Sequence, residues 1–174
     1  MAQERKGAIL WKGAPTDVVG PELQVGDSAP VDFGLTANDF SQVKGSDMAG
    51  KPRIILSVPS LDTPVCDIES RKFNEAAGKI PGVEIYAVSL DLPFAQKRWC
   101  GAAGVETLKT LSDFKDRSFG PAFGVYVPSK GLLARAVFVI GKDDKIRHVE
   151  YVKDVGSEPN YQAALDAIGS SGTD

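Results

Sequence analysis

Arg53-Ile-Ile-Leu-Ser-Val58 runs directly into Pro59-Ser-Leu-Asp-Thr-Pro-Val-Cys66 and then into a segment with helical spacing. Opened by Lys51-Pro52, the run up to Val58 has the length and apolarity of a strand buried on both faces. From Cys66 to Lys79 the spacing is helical, and Val65, Ile68, Phe73, Ala76, Ala77 and Ile80 offer one apolar side. Pro81-Gly82 stops that helix, and Val83-Glu-Ile-Tyr-Ala-Val-Ser89 reads as the next strand. A strand–helix–strand order places the chain in the α/β class.

Working outward, Pro93 to Cys100 is a short helical candidate closed by Gly101, and Asp116 to Phe123 is another. Ala134 to Ile140 and Ile146 to Val152 are β-rich and are joined by Gly141-Lys-Asp-Asp144, which predicts a hairpin. Glu158 to Ile168 closes the chain as a helix, with Ser157 as its N-cap. Toward the N-terminus, the turn formers Gly13-Ala-Pro, Gly20-Pro, Gly26-Asp and Ala29-Pro separate short β-prone pieces at 8–11, 17–19, 33–35 and 40–43. The sum is a mixed β-sheet flanked by helices, a thioredoxin-like fold with an N-terminal β-hairpin region over 1–25. No repeat or linker divides residues 1–174, so one domain is expected, with 170–174 a flexible tail.

The chain has 174 residues, 43% of them hydrophobic and 25% charged. A chain of that size buries about 70% of its unfolded surface and folds without a disulfide or metal. Its 20 Lys+Arg against 23 Asp+Glu, a net charge of −3, argue against a nucleic-acid partner. The only apolar stretch near the N-terminus, Ala8 to Trp11, is too short for a secretory signal. No stretch approaches the roughly 20 apolar residues of a membrane span. A soluble, cytoplasmic protein is expected, with no membrane partner. Structural disulfides are rare there, and two cysteines are too few for a disulfide scaffold. Both cysteines therefore need another reason.

In sheets of this type, ligands bind at the carboxyl ends of strands, where residues 58–66 fall. Thr63 has N-cap chemistry, Pro64 suits the first helical position, and Cys66 comes third. The unpaired amides of the first turn and the positive helix end then favour its thiolate. Ionisation alone gains only about 30-fold over the roughly 3% of an ordinary thiol that is charged at pH 7. A catalyst here also needs donors aimed at the bond being broken, and a fixed cation would serve best. Arg135, inside Leu132-Leu-Ala-Arg-Ala-Val-Phe138, is out of place in an apolar strand. It either reaches solvent at the strand end or lies buried beside a partner. The plain alternative for Cys66 is a small apolar residue under a helix start.

Pro59-x-x-x-Thr63-x-x-Cys66 resembles the peroxidatic motif of the peroxiredoxins. The wider Ser57–Cys66 string, Arg71-Lys-Phe-Asn74, Ser89–Gly101 and Gly131–Ile140 are similar to their bacterial thiol peroxidase branch, across about Gly26 to Ile168. The resemblance implies that Cys66 is the peroxidatic nucleophile and that Thr63 hydrogen-bonds thiolate and peroxide. It implies that Pro59 shields the pocket and that Arg135 holds the thiolate and polarises the peroxide. Cys100 becomes the resolving thiol of a redox-active Cys66–Cys100 disulfide, recycled by thioredoxin as reductant. Hydrogen peroxide and organic hydroperoxides are the implied substrates, and a homodimer the implied assembly. Formation of the disulfide implies that the two cysteine segments move together and part again.

Other readings of the cysteines stay open. Cys100 follows Cys66 by 34 residues, too far for a Cys-x-x-Cys pair, which disfavours a thioredoxin-like exchanger. A permanent staple is the structural alternative, and a non-enzymatic redox sensor the functional one. Apolar Leu61, Phe94 and Trp99 are candidates for a pocket or interface.

No cofactor or metal is expected. His148, the single histidine, falls on an exposed strand position, and Gly101-Ala-Ala-Gly104 lacks the pattern of a phosphate loop. No flavin or haem motif is evident. The acidic groups at 113–116 and 143–144 read as solvated loops.

Overall fold

The computed structural model describes residues 3–77, 79–104 and 107–171. The strands are β1 (Glu4–Trp11), β2 (Ala14–Val19), β3 (Gly34–Ala37), β4 (Gln42–Lys44), β5 (Arg53–Ser57), β6 (Glu84–Ser89), β7 (Leu108–Ser112), β8 (Tyr126–Val127), β9 (Leu132–Leu133), β10 (Ala136–Ile140) and β11 (Ile146–Tyr151). The helices are α1 (Pro64–Ala77), α2 (Pro93–Ala103), α3 (Phe119–Phe123) and α4 (Tyr161–Ser171). The main sheet has the order β11-β10-β5-β6-β7-β3-β4, and a smaller one the order β1-β2-β8-β9. β5, β6 and β7 are parallel, while β10 runs antiparallel to β5.

β5 is buried along its whole length, so its alternate residues feed two cores. Ile54 and Leu56 pack with Phe73 of α1 and with Ala164 and Ile168 of α4. Ile55 faces the other way, toward Phe138, Phe119, Phe123 and, from the N-terminal hairpin, Ile9 and Val18. Phe123 stacks on Phe119 at 4.5 Å and meets Phe138 edge-on at 4.9 Å. α3 ends at Gly124, where φ is 71° and an added Cβ would lie 1.9 Å from the Pro21 carbonyl oxygen. Only glycine lets the N-terminal segment close onto the core at that point.

Several expectations need correction. β7 is absent from the sequence reading: Leu108-Lys-Thr-Leu-Ser is short, and its buried faces include Thr110 and Ser112, which blur the apolar signal. α2 does not close at Gly101 but runs to Ala103, and Gly104 caps it at φ 67°. α3 starts at Phe119, later than the expected Asp116. α4 starts at Tyr161 rather than Glu158, because a residue before proline disfavours helical geometry and Pro159 intervenes. Asn160, not Ser157, supplies the cap: its Oδ1 accepts the Ala163 amide at 3.1 Å. α4 reaches Ser171, two residues into the expected tail, whose remaining positions 172–174 lie outside the described residues.

The acidic loops are also less solvated than expected. Asp113 is buried, and its carboxylate accepts the amides of Phe119 at 3.1 Å and Gly120 at 2.9 Å. Asp144 accepts the Gly50 amide at 2.8 Å and the buried Arg53 guanidinium at 2.9 Å. His148 is half-buried on β11.

Candidate active site

At the carboxyl end of β5 the chain leaves the sheet through a loop fixed by a residue far away in sequence. Asp91, just past β6, accepts the Ser60 hydroxyl at 2.7 Å and the Leu61 amide at 2.8 Å. The Ser89 hydroxyl donates to the same carboxylate at 2.9 Å. Pro59 is buried within this loop. Thr63 is not the side-chain cap expected: its hydroxyl donates to the Ser60 carbonyl at 3.0 Å, while its own carbonyl accepts the first helical bond, from the Asp67 amide at 3.0 Å. Among the described residues no hydrogen bond joins Thr63 to Cys66.

Cys66, in the first turn of α1, is fully buried. The antiparallel register of β10 against β5 pairs Ala136 with Ser57, so Arg135 lies beside the end of the strand that feeds α1. The Ser57 hydroxyl donates to the Ala134 carbonyl at 2.8 Å and fixes this junction. Arg135 is 2% exposed, so the solvent-reaching alternative fails. Its Nη1 donates to Cys66 Sγ at 3.1 Å and to Glu69 Oε2 at 2.7 Å, and its Nε donates to the Val155 carbonyl at 2.9 Å. Burial opposes the guanidinium charge, but Cys66 and Glu69 more than offset it and hold Arg135 above its ordinary value.

The sequence reading missed Glu69. Cys66 and Glu69 lie three apart on one helix face, so both meet the same guanidinium. An acid facing the buried side of an amphipathic helix was the available signal. Glu69 is fully buried, and its Oε1 has no partner among the described residues. Burial, partly countered by Arg135, pushes its carboxyl up to about 7.

The folded chain therefore holds the Glu69 proton more tightly than the unfolded one does. The stability this proton lends is complete below about pH 4.5 and is lost as pH rises through about 7. Glu69→Gln cannot ionise, so it should gain on the parent by on the order of 3 kcal/mol across that window. Urea unfolding of both proteins at pH 5 and 8 measures this, and a pH-independent difference would contradict it.

The second cysteine sits elsewhere. Both thiols are free, and Cys100 is half-buried on α2. Its Sγ lies 3.3 Å from Thr110 Oγ1 and accepts from Asn38 Nδ2 at 3.9 Å. The helices carrying the two cysteines are tied by the Trp99 indole, which donates to Asp67 at 2.8 Å, and by Arg71, which bridges Asp67 and the Ala103 carbonyl. Leu61 and Trp99 line a cleft of about 300 Å³ beside the loop, with Asp91 and Arg98. Phe94 stays outside it, 71% exposed.

Residues 24–165 match the Redoxin family. The chain is 52% identical over 160 residues to the thiol peroxidase of Halalkalibacterium halodurans, covering 92% of this chain and 96% of that protein. The chain belongs to the thiol peroxidases. The Bacillus subtilis thiol peroxidase is 48% identical, covering 91% and 95% of the two chains. Among solved structures, a peroxiredoxin-like protein from Aquifex aeolicus superposes with a TM-score of 0.88 at 39% identity, covering 94% and 96%. A thiol peroxidase from Chromobacterium violaceum, at 17% identity and TM-score 0.84, shares the fold. The thioredoxin-like architecture expected from the strand and helix order is that of this family. Among the described residues, no helix is long and apolar enough to cross a membrane.

Proposed function

We propose that this thiol peroxidase reduces hydrogen peroxide and organic hydroperoxides through Cys66 and Cys100, and that thioredoxin returns the electrons. The Cys66 thiolate attacks the terminal peroxide oxygen, the O–O bond breaks, and the alkoxide or hydroxide leaves as alcohol or water. The sulfenic acid left on Cys66 condenses with the Cys100 thiol, forming an S–S bond and releasing water. Thioredoxin then reduces the disulfide by thiol exchange. Arg135 stabilises the thiolate and the charge that develops on the peroxide. Thr63, whose hydroxyl donates to the Ser60 carbonyl, would turn that hydroxyl to thiolate and peroxide when substrate enters, and Pro59 keeps water out of the pocket.

One observation carries this reading: the 3.1 Å contact between a buried Arg135 guanidinium and a buried Cys66 sulfur. Such a pair sets a fixed cation, screened from water, directly against the sulfur that this reading makes the nucleophile. The reading extends to a homodimer, for which the exposed rings of Phe40 and Phe94, 5.0 Å apart, supply apolar surface. It also extends to a cytoplasmic setting, where a reducing pool keeps the cycle running.

Peroxide consumption is measured with excess thioredoxin, its reductase and an alkyl hydroperoxide. The parent should turn over many equivalents, whereas Cys100→Ser should oxidise once and stop. A parent protein that itself stalls after one equivalent would replace the enzyme with a redox sensor.

A further inference from the structure

Cys100 is held in a closed ring of polar groups contributed by three separate elements. Thr110 lies in the middle of β7, Asn38 immediately follows β3, and Cys100 belongs to α2. The Thr110 hydroxyl donates to Asn38 Oδ1 at 3.0 Å. Its single proton is thereby committed, so the 3.3 Å contact between Cys100 and Thr110 is carried by the thiol proton. Asn38 Nδ2 completes the ring by donating to Cys100 Sγ at 3.9 Å. Each of the three side chains both donates and accepts. Thr110 is 3% exposed, at a position where valine would fill the same volume. Among the described residues its hydroxyl bonds only to the two partners in this ring.

We propose that Thr110 and Asn38 are positioning residues for the resolving step, orienting the Cys100 thiol at rest and supplying two donors to its sulfur as the proton leaves. This rests on the reading that Cys100 resolves a sulfenic acid on Cys66. In the ring as it stands, the thiol donates one hydrogen bond to Thr110 and accepts one from Asn38.

When Cys100 attacks the sulfenic sulfur, its S–H proton leaves with the hydroxyl as water, the S–O bond breaks and the S–S bond forms. The oxidising equivalent passes from the sulfenic acid into the disulfide, and no further oxidant is needed. As negative charge gathers on Cys100, the Thr110 hydroxyl can rotate from Asn38 onto the sulfur, where the Asn38 amide already points. Hydrogen bonds to the charged form favour it. The ring thus orients the thiol before the sulfenic acid appears and turns its donors to the sulfur during capture.

The test separates the two chemical steps by rapid quench and mass spectrometry after a single equivalent of peroxide. Thr110→Val should leave sulfenic acid formation on Cys66 at the parent rate and slow disulfide formation about tenfold. Excess peroxide should then drive more Cys66 to sulfinic acid. Thr110→Ser, which keeps the hydroxyl, should restore the parent disulfide rate, a rescue that mere filling of space would not give. Asn38→Ala, at a half-exposed position, is the second variant and should also slow only the second step. Parent-like disulfide formation in both Thr110→Val and Asn38→Ala, or failure of Thr110→Ser to rescue, would overturn the inference. Cys100→Ser is the separate control. If it still forms the same disulfide and turns over, the resolving role itself is wrong, whatever the Thr110 variants do.

Discussion

Cys66→Ser is expected to lose all detectable thioredoxin-dependent peroxide consumption while keeping the parent's fold. A serine hydroxyl is essentially un-ionised near neutral pH, and among the described residues no base hydrogen-bonds to the side chain at this position. The charged group that contacts the sulfur is the Arg135 cation, and the Glu69 carboxyl beside it is already engaged with that cation. Structurally the change is small. Cys66 is buried against Leu61, Phe73 and Val58, and an oxygen in place of sulfur still accepts from Arg135. The buried cation keeps both of its side-chain acceptors, so stability should shift by only about 1 kcal/mol. Urea unfolding verifies the fold, and peroxide loss with thioredoxin reads the activity. Turnover above the protein-free rate would remove Cys66 from the reaction.

How much of this site could be read before the structure depended on where each signal lay. Thr63-Pro64-Val65-Cys66 is contiguous, and the chemistry of helix starts places the thiol in the first turn of α1 without any tertiary information. Arg135 was visible as a cation inside an apolar strand, but only the family resemblance, not the local pattern, pointed it at Cys66. The pairing of Ala136 with Ser57 that brings it to Cys66 is a register between segments about 80 residues apart. Asp91 fixes the Ser60–Leu61 loop through space in the same way. β7 escaped because Thr110 and Ser112 break its apolar pattern, and the Thr110 hydroxyl turns out to be spent on Cys100 and Asn38. Asp113 and Asp144 looked like ordinary surface acids, because the amides and the arginine they serve come from other parts of the chain. Local propensity located the elements well where the pattern was apolar. It misjudged boundaries where a proline or an asparagine cap decided the first turn, as at α4.

Arg135→Met should damage both function and stability, and the two losses should respond differently to a second change. Removing a donor aimed at the reacting sulfur and the developing oxyanion should lower kcat/KM for peroxide about 10²–10³-fold. Methionine fills a similar volume but leaves Glu69 buried without its cation and the Val155 carbonyl without its donor. Breaking a buried ion pair on one side costs about 3–5 kcal/mol. Glu69 can escape part of that cost by holding its proton. With Arg135 gone, the group that pulled its carboxyl down is lost, and the carboxyl moves further up from about 7. The stability deficit against the parent should therefore be smallest in mild acid and widen as pH rises past 7. The double change Glu69→Leu with Arg135→Met removes the stranded acid and should recover most of the stability at pH 8. It should recover none of the activity, because no cation faces Cys66. Unfolding curves at pH 5 and 8, set beside steady-state peroxide kinetics, separate these outcomes. Recovery of turnover in the double variant would show that Arg135 acts only by neutralising Glu69, with no part in the chemistry at Cys66.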